Sequence, residues 1–246
     1  MTTAVANRSD ESVSIGGEVL RRLWVLVVAG IPTGVIVAGL GSRLAMLALR
    51  LTSPDAVRGV TSDDGFEIGR FTLGGSYNLL LLGAFVGVIG AAAYLSVAPW
   101  LLGPGWFRRC TVGAAAGAVV GSMLVHDSGI DFHVLKPLWL AVGLFVALPA
   151  LFGLAIGLAV DRLERRGPPR GHLRWIVPAA LLAAFPPVIP IVLLAAVALA
   201  VWVPVRRLFV GMGDLPLVGA VAIRAGWLAI AVLGLVALVR DIRALT

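Results

Sequence analysis

At 246 residues, 59% hydrophobic and only 13% charged, with a mean hydropathy of +1.00, the chain carries more apolar side chains than a soluble domain can hide; such domains average about 45–50% apolar and about 25% charged residues. Its formal charge of +7 does not indicate nucleic-acid binding, because the basic residues gather at the ends of apolar runs and not on a polar face interleaved with aromatics. One cysteine, Cys110, excludes an intramolecular disulfide framework and any multi-cysteine metal cluster.

Six long apolar runs, none containing Asp or Glu, fill most of the sequence. A helix needs about 20 apolar residues to cross the hydrocarbon core of a bilayer. The expected fold is therefore all-α: a polytopic transmembrane helix bundle of about six spans, with residues 1–20 as a flexible polar tail and 21–246 as a single transmembrane domain.

The first span runs from about Leu23 to Leu51, with Pro32 as a kink between Gly30 and Gly34. Its apolar stretch is too long for a cleavable signal peptide, whose apolar region covers about 7–15 residues. Residues 52–77 form the longest polar connection, where Val57–Thr61 and Phe66–Leu73 flank the turn Asp63-Asp64-Gly65 as a small hairpin. The second span is Asn78–Leu102. Gly103-Pro104-Gly105-Trp106 then turns the chain into Arg108-Arg109 and a short third span, Cys110–Val125.

After the polar stretch His126–Pro137 comes the fourth span, Leu138–Val160, and then an Arg-rich connection, Asp161–Arg174. Trp175–Val205 is apolar for 31 residues and holds five prolines, Pro178, Pro186, Pro187, Pro190 and Pro204. It reads as a kinked or re-entrant fifth segment, since non-helical backbone at membrane depth must be buried in protein or line a cavity. The sixth span is Leu217–Val239.

With the N-terminus inside, Arg and Lys divide 12 inside to 8 outside, which favours both termini in the cytoplasm. If the Pro-rich segment is a hairpin, Arg206 and Arg207 return inside and the C-terminus exits outside. Small residues four apart, at Gly30/Gly34, Gly83/Gly87, Gly113/Gly117/Gly121 and Gly153/Gly157, mark faces where helices approach closely. The stripe Gly113, Gly117 and Gly121 serves packing within one chain or a homo-oligomer.

Two groups of residues carry candidate chemistry. His126, Asp127, Asp131 and His133 gather imidazoles and carboxylates suited to Zn or Mn, although no His-Glu-x-x-His pattern is present. Arg43, Arg206, Arg207 and Arg224 could form an outward site for an anion or lipid headgroup, or each could snorkel separately to the interface. No nucleophile elbow, phosphate-binding glycine loop or Cys-x-x-Cys pair occurs, and no cofactor is expected.

Leu73-Gly74-Gly75-Ser76 with the Leu79–Gly83 run, and Asp131-Phe132 ahead of the Leu138–Val160 span with its exit Asp161-Arg162-Leu163-Glu164-Arg165, resemble a set of small polytopic membrane proteins of actinobacteria and other bacteria. The similarity covers about residues 25–166. It implies a multi-pass protein of the bacterial inner (plasma) membrane and no activity that transfers to particular residues.

The leading expectation is a non-enzymatic membrane component that binds a lipid or a membrane-protein partner. A permease for a hydrophobic or anionic small molecule, and a metal-dependent membrane enzyme, are the alternatives.

Overall fold

A computed structural model describes residues 15–53, 73–101, 103–125, 136–211 and 217–245, apart from the side chains of 206–211, 217–220, 222 and 223. Helix α1 (Ile15–Thr33) continues through a π-helical stretch (Gly34–Leu40) into α2 (Gly41–Thr52). Next come α3 (Leu73–Val97), a 3-10 turn (Ala98–Trp100), α4 (Gly105–Leu124) and α5 (Leu138–Arg166). The chain finishes with α6 (Leu173–Ala184), a second 3-10 turn (Pro186–Val188), α7 (Ile189–Gly211) and α8 (Leu217–Leu245). Among the described residues, four stretches are long and apolar enough to cross a bilayer: Ile15–Thr52, Leu73–Trp100, Leu138–Arg166 and Pro186–Val205. The protein is a multi-pass membrane helix bundle, with no strand among the described residues.

Local chemistry sets several boundaries. Helix α1 begins inside the stretch read as a polar tail: Glu18 and Arg22, one turn apart, pair at 3.1 Å, and Arg22 is buried. The kink expected at Pro32 takes the form of the π-helical stretch that follows it, since proline removes an amide donor from the α-helical ladder. Pro104, extended and immediately before the first turn, starts α4 five residues ahead of Cys110. Helix α5 runs past Val160 to Arg166 and stops at Gly167, whose φ of 68° suits a residue without a side chain.

The Pro-rich segment is broken at Phe185 (φ −131°, ψ 64°), because a residue preceding proline is pushed out of the helical region. Tyr77, in the second turn of α3, stacks on the Phe185 ring at 6.4 Å and meets the Ala184 carbonyl at 3.5 Å. These contacts hold the break against the start of α3.

Glycine faces pair off and fix the helix directions. Gly30 and Gly34 lie against Gly87 and Gly83 of an antiparallel α3. A Cβ on Gly30 would sit 2.8 Å from the Gly87 carbonyl oxygen, so backbone meets backbone. Likewise Gly113, Gly117 and Gly121 of α4 face Ala150, Leu154 and Val146 of an antiparallel α5, with Gly113 opposite Gly153. Helix α8 runs parallel to α4: Arg224 meets Trp100 at the beginning of α4, Gly234 faces Val119, and Leu238 packs with Val125 at its end.

Helix α1 is the centre of the bundle, packed on α3, α5, α6 and α7. Trp24–Val27, Ala29 and Ile31 interlock there with Ala84, Val88, Ala91 and Tyr94. A second, smaller core of Leu49, Val125, Ala141 and Leu238 closes the opposite end.

Candidate functional site

Where α3 ends and α4 begins, a polar cluster is built into the apolar bundle. Asp161, in the last third of α5, is only 7% exposed. The Tyr94 hydroxyl of α3 donates to its Oδ1 at 2.9 Å, and Arg109 of α4 donates to its Oδ2 at 3.4 Å. One carboxylate thus ties three helices together. Gly157, one turn before Asp161, lets the Tyr94 ring and the Arg109 stem lie directly on α5, since a Cβ there would meet the ring at 2.8 Å.

Two further guanidinium groups stand beside this clamp. Arg108 reaches the Ala98 carbonyl at 3.4 Å, and Arg224 donates through Nε to the Trp100 carbonyl at 2.9 Å. They satisfy carbonyls that the end of α3 leaves without helical partners, and positive charge is favourable at a helix C-terminus. Within this cluster three arginines stand around one aspartate, so guanidinium groups outnumber carboxylates.

Running from this cluster towards the other end of the bundle is an apolar slot of about 510 Å³. Helices α3 and α4 are joined by a short turn yet scarcely touch, and the slot is the space between them, backed by α5. Its α3 wall is the stripe Leu79, Leu82, Val86, Ile89, Ala93 and Val97, residues three or four apart on one helical face. The α4 wall is Val112, Ala115, Ala116, Val119, Val120 and Leu124. Phe145, Leu148 and Phe152 of α5 form the back, Met46 and Leu49 of α2 close one end, and Trp227 and Ile230 of α8 complete the side. Leu82 (56%), Ile89 (53%) and Ile230 (53%) line the slot yet are half exposed, so it is open along its side.

Small residues explain why the slot exists. On α4 the glycines are spent on α5, which draws those two helices together while α1 holds α3 through its own glycines. The facing stripes of α3 and α4 are therefore not pressed against each other, and α8 covers only part of the α4 stripe, at Val119.

The arginines grouped by sequence do not converge. Arg43 lies at the start of α2, level with the first turns of α3, whereas Arg224 binds Trp100 beyond the far end of α3. Arg206 and Arg207 fall within α7, and their side chains are outside the described residues. So are His126, Asp127, Asp131 and His133, and the hairpin read around Asp63-Asp64-Gly65. Among the described residues no three His, Cys, Asp or Glu side chains come together to hold a metal. Sequence reading missed Asp161, which directly follows the apolar run and reads as the start of a polar connection, whereas α5 continues through it to Arg166. Compared with protein-family models, curated proteins and solved structures, the chain matches none.

Proposed function

We propose that the chain is a non-enzymatic integral membrane protein that holds a lipid-like hydrocarbon chain in the slot between α3 and α4. The observation that carries this is the lining: a cavity of about 510 Å³, within the range of about 300–1,000 Å³ typical of ligand sites, walled mainly by Leu, Val, Ile, Ala and Phe. From Val112 to Leu124 the slot extends about 18 Å at 1.5 Å per residue. That is close to half of the roughly 30 Å hydrocarbon core, the depth one leaflet's chain occupies. In a bilayer, acyl chains are the molecules at hand to fill it.

The helix directions favour an out-and-back hairpin of α6 and α7 over a single fifth span. Chain passing from the α5 end to Phe185, beside Tyr77, goes out in α6 and returns in α7, so that α8 can start near Trp100. On that path Arg206, Arg207 and Arg224 join the N-terminal side and Arg240 and Arg243 leave it, changing the division of Arg and Lys from 12 against 8 to 13 against 7. The stronger bias supports a cytoplasmic N-terminus and an external C-terminus in the plasma membrane.

The test is lipid retention. Ala93 is exposed in the α3 wall, and Ala93→Phe would fill the slot without disturbing the glycine contacts. Protein purified in mild detergent should carry tightly held lipid, and the variant should carry about a tenth as much, the loss expected when roughly 1.4 kcal/mol of apolar contact is removed. Equal lipid content in both proteins contradicts the proposal.

A further inference from the structure

We infer that the slot selects an amphiphile with an anionic headgroup, seated with its charge at the Arg108, Arg109 and Arg224 end. This deepens the lipid-binding reading above and rests on it. The slot's two ends differ in chemistry. At one, Leu49 and Leu124 close the cavity with hydrocarbon. At the other, the last lining residues are Val97, Val112 and Trp227, and each sits within one helical turn of the cluster: Val112 beside Arg108 and Arg109, Trp227 beside Arg224, Val97 beside Ala98.

Charge decides the class of headgroup. Asp161 is already engaged by Tyr94 and Arg109, so Arg108 and Arg224 meet only backbone carbonyls among the described residues, and their charge is not neutralised by a carboxylate there. The Nε of Arg108 and the Nε1 of Trp227 are buried donors with no acceptor among the described residues. A guanidinium offers several donors in a fork matched to phosphate, and positive charge near a membrane surface attracts anionic lipid. A zwitterionic headgroup would bring a cation along with its phosphate, and a neutral one no charge, to a cluster where guanidinium groups outnumber carboxylates. An anionic phospholipid meets both ends of the site.

The experiment is native mass spectrometry of the full chain in detergent with equimolar dioleoyl-phosphatidylglycerol and dioleoyl-phosphatidylcholine, which share acyl chains and differ in headgroup charge. The wild-type protein should retain the anionic lipid preferentially, by about fivefold per guanidinium engaged. Arg224→Gln should lower that ratio towards one, through loss of the anionic lipid and not of the zwitterionic one. Equal retention of both lipids, lost from both in Ala93→Phe, would overturn the headgroup inference and leave the hydrocarbon site standing. Retention of neither lipid by the wild type would overturn both. The wild-type comparison needs no variant to fold.

Discussion

The Tyr94 hydroxyl and the Asp161 carboxylate, 67 residues apart, meet at 2.9 Å inside the bundle. Arg109 holds the other carboxylate oxygen, so α3, α4 and α5 are fastened at one level. Hydrogen bonds between transmembrane helices average only about 0.6 kcal/mol in double-mutant cycles, whereas a buried charge stripped of its partner costs about 3–5 kcal/mol. Tyr94→Phe is therefore expected to lower stability by about 1 kcal/mol and Arg109→Leu by about 3 kcal/mol. Thermal unfolding in detergent measures both. The double variant Arg109→Leu/Asp161→Leu should lose less than the sum of its single changes, because removing both partners leaves no isolated charge. Strict additivity would mean that the pair does not interact.

Gly34 and Gly87 provide a second test. A Cβ on Gly34 would meet the Gly83 carbonyl oxygen and lie 2.7 Å from the Gly87 Cα, both backbone atoms that cannot swing aside. Gly34→Ala should cost about 2–3 kcal/mol by forcing α3 away from the π-helical stretch. Gly143, in α5, has nothing within 4 Å of the same position. Gly143→Ala should be neutral or stabilising by about 0.5–1 kcal/mol, since it removes only chain flexibility. Equal destabilisation by the two changes would show that close glycine contact does not set the α1–α3 packing.

Much of this fold is legible in the sequence, and the failures have particular causes. The apolar lengths around Leu73–Val97 and Leu138–Val160, and the glycines spaced by four, follow directly from the residues, because bilayer thickness and close helix approach act locally. The prolines at 186 and 187 mark the break in the Pro-rich segment because proline constrains the backbone of the residue before it. The clamp is different. Asp161 is followed by Arg162, Glu164, Arg165 and Arg166, which look like a solvated connection, and nothing nearby announces a tyrosine from another helix. The slot is harder still, since stripes on α3 and α4 read as ordinary lipid-facing or packed surfaces until the two helices are seen held apart.

The direction of α8 predicts where the C-terminus emerges. Leu238 packs with Val125 and Leu49 at the end of the bundle opposite the Arg109–Asp161 clamp. Alkaline phosphatase fused after Thr246 should be active in bacterial cells, and a green fluorescent protein fused there should stay dark. Bright fluorescence from that fusion would return the C-terminus to the cytoplasm and contradict the proposed α6–α7 hairpin.

The central claim is that hydrocarbon enters between α3 and α4, and photo-crosslinking tests it most directly. Protein reconstituted with a phospholipid bearing a diazirine near the end of one acyl chain should be labelled chiefly on slot-facing residues towards the closed end, among them Met46, Leu79, Leu82, Val120 and Leu124, and Ala93→Phe should abolish that labelling. Labelling confined to outward residues such as Leu193, Leu194 and Leu233, with the slot unmarked, would contradict the account.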